Sequence, residues 1–255
     1  ERETILVTLL QDGVTGYLNQ YARVETDEDL GYFDFSISGN DGNLLFYPTK
    51  SSVNNYNLEF TSFGIKDTVA GIGTQDLGDI VKINSSASVI STGSTTATVV
   101  GIASTYRSAK VLVQIGATDK SYFEFNEITV LHNDSDVFFI DYGELTTGNF
   151  TPYASSGIGT YHAYLSGSNL NVDFILNSTS SVDYNINSVI VSIANTSSTG
   201  IGSTSVGGNL FDSSYVSIAS STSPIANNIA QHETTYNSSY YVVCVTDTTN
   251  SNYQI

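Results

Sequence analysis

The sequence predicts an all-β protein. It is read as tandem antiparallel β-sandwich units, jelly-roll or immunoglobulin-like, joined by Ser/Thr/Gly-rich connectors. Three observations carry this. Good helix formers do not gather into runs of helical period. Apolar residues alternate with polar ones at period two, which puts them on one face of a strand. Turn residues separate these runs, and the run-and-turn pattern recurs along the chain.

Taken in order, Ile5 to Leu10 is an apolar run ended by the turn pair Asp12-Gly13. Phe33, Phe35 and Ile37 then alternate with Asp34 and Ser36, and Asp41-Gly42 turns the chain into Asn43-Leu44-Leu45-Phe46. Asn84 to Thr96 is polar, but Val89, Val99, Val100 and Ile102 are spaced as in strands rather than in a floppy linker. Val111, Val113 and Ile115 alternate next. Ile128 to Leu131 and Phe138 to Tyr142 follow. The turn Ser166-Gly167-Ser168-Asn169 precedes the alternating Leu170, Val172 and Phe174, and Val189, Val191 and Ile193 form a further strand. Asn195 to Gly208 is a second Ser/Thr/Gly-rich stretch. Only Pro48, Pro152 and Pro224 interrupt the chain.

The internal repeat is specific. Gly31-Tyr-Phe-Asp-Phe-Ser-Ile-Ser-Gly39 matches Gly159-Thr-Tyr-His-Ala-Tyr-Leu-Ser-Gly167, and each is followed by Asn and a second apolar run. Gly71-Ile72-Gly73-Thr74 answers Gly200-Ile201-Gly202-Ser203. Tyr106 to Val113 aligns with Tyr236 to Val243, and Asp119 to Tyr122 with Asn250 to Tyr253. Ile5 to Gly13 aligns with the segment ending Leu131-His132-Asn133-Asp134, and Tyr17 to Tyr21 with Phe138 to Tyr142. The offsets run from roughly 121 to 131 residues, a domain-sized period whose drift fits insertions between strands. Three segments are expected: 1–94, the back portion of a repeat plus connector; 95–197, a complete unit; and 198–255, the front portion of the next. Residues 1 to about 70 and about 216 to 255 then read as complementary parts of one sandwich. They close either within one chain or between neighbours, head to tail.

Composition narrows the function. Forty per cent apolar and 11% aromatic residues supply a core, and 13% charged residues argue against a disordered polyelectrolyte. Twenty-five acidic residues against eight basic ones give a net charge of −17, which repels nucleic acid and anionic membrane. No apolar run is long enough for a membrane-spanning helix. The single cysteine, Cys244, leaves no intrachain disulfide and no cysteine zinc cluster. Because Met is absent, residue 1 is expected to follow processing or to lie inside a longer chain.

The run Tyr106-Arg107-Ser108-Ala109-Lys110-Val111-Leu112-Val113-Gln114, with Tyr122, Glu127 and Val130-Leu131-His132 after it, resembles a repeat of virion structural proteins of marine cyanobacterial myoviruses. Asp141-Tyr142-Gly143-Glu144, Gly159-Thr160-Tyr161 and Ser166-Gly167-Ser168-Asn169 continue the resemblance, as do the Gly-Ile-Gly-Thr connectors at 71–74 and 157–160. It spans Ile102 to Leu176 and thins on both flanks. Asn237-Ser238-Ser239-Tyr240 departs from it, so Arg107 and Lys110 are confined to the central unit. The resemblance implies a fibre, baseplate, tail or capsid-surface component and brings no active site.

Catalytic and metal chemistry is sparse. His132, His162 and His232 have no second His or Cys at metal-ligand spacing, and the first two alternate within strands as hydrogen-bonded sheet histidines. The acidic run Glu25-Thr26-Asp27-Glu28-Asp29 lacks the spacing of an EF-hand loop, and Asn133-Asp134-Ser135-Asp136 reads as an Asx turn. No nucleophile elbow and no dinucleotide loop occur. No catalytic, cofactor or metal residue is therefore assigned. Calcium is the one ion whose oxygen-ligand chemistry the acidic runs offer. The expectation is a non-enzymatic phage structural component on the exposed virion surface, assembling through β edges with itself and with other virion proteins. The alternatives are an adhesin module for carbohydrate or host-surface glycan, and a bacterial surface-layer or secreted adhesin repeat. Neither nucleic acid nor membrane is an expected partner.

Overall fold

The computed structural model describes residues 3–25, 30–38, 41–49, 65, 73–77, 81–147, 157–194, 203–206, 209–212, 245–247 and 252–254, and every regular element among them is a strand. The all-β class is thus what the structure shows. One antiparallel sheet has six strands. In chain order they are β5 (Thr74–Leu77), β6 (Val81–Ile90), β8 (Tyr106–Ala117), β9 (Phe123–His132), β10 (Val137–Thr146) and β13 (Tyr184–Ala194). Their order across the sheet is β10-β9-β8-β13-β6-β5. A three-stranded sheet orders β11 (Gly159–Ser166), β12 (Asn169–Leu176) and β7 (Thr96–Ala103). Four hairpins complete the described strands. They are β1 (Glu3–Gln11) with β2 (Gly16–Glu25), β3 (Gly31–Ser38) with β4 (Asp41–Pro48), β14 (Ser203–Val206) with β15 (Asn209–Asp212), and β16 (Val245–Asp247) with β17 (Asn252–Gln254). Strands do occupy the polar stretch after Asn84, as β6 and β7, and the six-stranded sheet draws β5 and β6 from before residue 95.

Period two explains the core. Ala109, Val111, Val113 and Ile115 of β8 all turn to one face, joined by Ile128 and Val130 of β9, Ile186 and Ile190 of β13 and Ile90 of β6. Val99, Val100 and Ile102 of β7, Leu170, Val172 and Phe174 of β12 and Tyr161 of β11 meet them in one buried cluster. Each fully buried Val, Leu, Ile or Phe stabilises the fold by about 1.5–3 kcal/mol relative to exposure. A polar tie crosses between the two sheets: the Ser188 hydroxyl of β13 donates to the Val99 carbonyl of β7 at 3.2 Å. Asp183 Oδ1 accepts from the Thr92 amide at 2.6 Å and from its hydroxyl at 2.8 Å, which ties the β6–β7 turn to the approach of β13.

The sequence repeat is a repeat of hairpins. In β1–β2, Gln11 faces Gly16; in β9–β10, His132 faces Val137. Both connections are Asx turns. Asp12 Oδ1 accepts from the amides of Val14 (2.8 Å) and Thr15 (2.7 Å), as Asn133 Oδ1 does from Ser135 (3.0 Å) and Asp136 (2.7 Å). The next residue is left-handed in each, Gly13 at φ 91° and Asp134 at φ 76°. Its amide donates back to Gln11 Oε1 at 2.7 Å in one hairpin and to His132 Nδ1 at 3.2 Å in the other. Both ladders then shift register at a bulge.

The second hairpins match as closely. Gly31 faces Pro48 and Ser38 faces Asp41, while Gly159 faces Leu176 and Ser166 faces Asn169. Phe33 and Phe46 form a tilted ring pair at 5.2 Å and 52°, and Tyr161 and Phe174 form one at 5.0 Å and 56°. The amide of Thr49 donates to the Leu30 carbonyl, and that of Asn177 to the Ile158 carbonyl, closing each hairpin at the same place.

Candidate functional site

Three polar clusters and two aromatic faces hold the unusual chemistry. The first cluster forms where β9 starts. Tyr122, Glu124 and Asn126 lie at alternate positions, so they share one face, and β11 brings Tyr161 over them. The Tyr122 hydroxyl donates to Glu124 Oε2 at 2.5 Å, and Asn126 Nδ2 donates to Glu124 Oε1 at 2.5 Å and to the Tyr161 oxygen at 3.0 Å. The Ile158 amide reaches Glu124 Oε2 at 3.4 Å. Burial pushes the Glu124 carboxyl up; the bonds from Tyr122 and Asn126 work against this, and the Glu144 charge adds to it. Burial and the Glu124 charge push both tyrosines far above their ordinary range. A general acid must reach a substrate, and Glu124 is 2% exposed. Gly157 closes the site, because a Cβ there would collide with the Glu124 carboxyl. The cluster is a sealed structural network.

The second cluster sits at the β9–β10 turn. His132 is 0% exposed. Its Nε2 lies 3.1 Å from the Tyr106 carbonyl, while Nδ1 accepts from the Asp134 amide and lies 3.3 Å from Arg107 Nη1. These bonds assign a neutral ring with the proton on Nε2. Burial lowers its pKa; the Tyr106 carbonyl opposes this and the Arg107 charge adds to it. Arg107 also pairs with Asp134, whose carboxyl that bond holds below the usual range. His132 is therefore a hydrogen-bonded sheet histidine, and Asn133–Asp136 is an Asx turn. His162 stacks on Tyr164 at 5.3 Å. Residues 26–29 of the acidic run and His232 lie outside the described residues. Among the described residues, no three His, Cys, Asp or Glu side chains converge on one point.

The third cluster joins β8, β9 and β10. Lys110 Nζ is 2.6 Å from Glu127 Oε2 and donates to the Tyr142 hydroxyl at 2.7 Å, while also sitting over that ring. Burial pushes the Glu127 carboxyl up against its bond with Tyr142. Lys110 and Arg107 mark the Tyr-Arg-Ser-Ala-Lys run in the sequence. Their partners Glu127 and Asp134 lie too far along the chain for spacing to reveal.

Two faces are open. On β3–β4, Tyr32 (52% exposed) stacks flat on Tyr47 (41% exposed), with centroids 5.1 Å apart and planes within 12°. On β10, at the edge of the six-stranded sheet, Phe138, Phe139 and Ile140 are exposed, and β1 and β2 pack nearby. A cleft of about 370 Å³ between Gly157, Leu176 and Tyr184 is lined by Ser and Thr and has no charged wall.

No family model matches this chain, and no curated protein matches it. Among solved structures, the chain is similar to the tailspike protein gp49 from Acinetobacter baumannii bacteriophage Fri1, a capsular polysaccharide depolymerase. The similarity covers 49% of this chain and 20% of that one, at 13% identity and a TM-score of 0.29. The chain spans about a fifth of the tailspike's length. A likeness this slight carries no argument about function.

Proposed function

We propose that the chain is a non-enzymatic structural component of a bacteriophage particle, built from repeated β units and assembling through their edges with itself and with other virion proteins. The observation that supports this most is the repetition itself: the same two hairpins occur twice, down to turn, bulge and ring pair. Repetition of one unit serves an extended architecture better than a single reaction centre. The resemblance of Ile102–Leu176 to the cyanobacterial myovirus repeat points to the same class. Among the described residues β10 is an edge strand of its sheet and carries exposed apolar residues, and an unpaired strand edge seeks another ladder. A net charge of −17 suits the outer surface of a particle better than contact with packaged DNA. The test is mass spectrometry of gradient-purified particles from the source culture, with antibody labelling of intact particles. Peptides and label on the particles are expected; a chain found only in the host-cell fraction overturns the reading.

A second reading has its own observation. The flat Tyr32–Tyr47 pair offers a stacking platform of the kind that holds a sugar ring. Retention of the chain on host envelope polysaccharide, lost in Tyr32→Ala, would support glycan attachment. Retention unchanged in that variant would remove the pair from it.

A further inference from the structure

We propose that the outer face of the six-stranded sheet is a two-fold contact surface for a second copy of this chain, the copies meeting sheet face to sheet face. The contact rests on the self-association in the proposed function, moves it from an edge to a face, and does not need the virion assignment.

The face follows from period two. One set of alternate residues in β6, β8, β9 and β13 supplies the core, and the other set points away from it. Register lines this second set up in rows across β6, β13, β8, β9 and β10. Ile83, Val191, Lys110, Thr129 and Ile140 form one row, and Val189 faces Leu112 in the next.

A sheet face turned to water is ordinarily polar. The outer face of the three-stranded sheet is polar in this way: His162 of β11 stands across from Asp173 of β12, and Tyr164 from Asn171. The six-stranded sheet reverses the pattern. Its strand β13 sends Ser188 and Ser192 inward, each donating to a backbone carbonyl at 3.2 Å, and Val189 and Val191 outward. Ile83, Leu112, Val189 and Val191 are half-buried. The hairpin β1–β2 and β17 approach this sheet at β9 and β10, and Phe138 and Ile140 stay exposed there. An apolar face this broad marks a contact surface.

Charge chooses the occupant. The chain carries a net charge of −17, so two copies repel wherever acidic surfaces meet. This face is neutral. Among its laddered residues in β6, β8, β9, β10 and β13, the charged ones are Lys110 and Glu127, and they pair with each other at 2.6 Å. An identical face meets it without opposing like charges, as a two-fold contact requires. A cationic partner finds no carboxylate here that lacks its own cation. Five strands at ~4.8 Å and ten residues at ~3.4 Å make a face of roughly 800 Å², the area one partner gives to a standard interface.

Analytical ultracentrifugation of the chain at micromolar concentrations tests the contact. The parent is expected to dimerise. Val189→Asp should weaken the dimer about a hundredfold, and Val189→Thr combined with Val191→Thr, which keeps the side-chain shape, about tenfold. Ile175→Asp, on the outer face of the three-stranded sheet, should leave it unchanged. Circular dichroism confirms each fold, and the threonine variant decides the matter if the aspartate variant does not fold. A parent that stays monomeric up to about 100 µM overturns the proposal. A dimer that survives both face variants also overturns it and moves the contact to an edge. A monomer still found on purified particles overturns this contact and leaves the virion reading standing.

Discussion

Ala22 and Gly143 occupy the same point of the same bulge, and both are left-handed, at φ 50° and φ 68°. In each ladder two residues, Ala22-Arg23 or Gly143-Glu144, bulge opposite one, Ile5 or Asn126. Glycine adopts this conformation freely, while alanine sets its Cβ against the following carbonyl. Ala22→Gly is therefore expected to stabilise the chain by about 1 kcal/mol, and Gly143→Ala to destabilise it by about as much. A Cβ on Gly143 would meet only ordinary contacts with Glu127, so the effect is conformational. Urea midpoints of the two variants check both signs.

The buried pair Lys110–Glu127 should behave as a unit. Lys110→Tyr alone and Glu127→Leu alone each leave a buried charge unpaired and should cost about 3 kcal/mol. The double variant carries the residues that stand at the matching positions of the sequence repeat, Tyr240 and Leu6, and should return to within about 1 kcal/mol of the parent. A double-mutant cycle in urea measures this. Additive losses would show that the pair is not coupled.

Stability should depend on pH in opposite senses at the two kinds of carboxyl. Glu124 is raised by burial, so it keeps its proton in the fold at a pH where the unfolded chain has lost it. Its contribution is complete below the unfolded value of about 4.3 and is lost as pH rises through the folded value. Asp134 is held down by Arg107, so its contribution is present above about 3.9 and is lost as pH falls through the lower folded value. Urea midpoints should therefore fall as pH rises above the unfolded value of about 4.3, and Glu124→Gln should flatten that fall. A slope unchanged in the variant would assign the alkaline loss to other groups.

Gly31 and Gly159 open equivalent strands at places with no room for a side chain. A Cβ on Gly159 would collide with the Ile175 carbonyl and the Phe174 ring, and one on Gly31 with the Phe46 ring and the Tyr47 carbonyl. Gly159→Ala and Gly31→Ala should each cost about 1–3 kcal/mol by forcing the ring pair beneath to shift. Thermal unfolding of both variants tests whether the two hairpins carry equal constraint.

The hairpins are legible in the sequence because each depends on residues near one another. Alternating Phe33, Phe35 and Ile37, the turn at Asp41-Gly42 and the recurrence at Gly159 are local signals that fold locally. The polar network around Glu124 is not legible for the same reason inverted. Alternation along Glu124, Asn126, Ile128 and Val130 sets the two polar residues on the core face, where the sequence nearby shows no partner for them. Their partner and cover, Tyr161 and Gly157, lie more than thirty positions away. The Arg107–Asp134 and Lys110–Glu127 pairs also join residues of different strands, so composition shows the charges and hides the partners.

Within each hairpin the connecting length is fixed: four residues join β1 to β2 and β9 to β10, and two join β3 to β4 and β11 to β12. The drift in spacing falls between hairpins. Insertions placed there leave every ladder in register, whereas a one-residue insertion within a strand turns the side chains beyond it to the wrong face. A chain built this way takes changes of length at its seams and holds them out of its ladders.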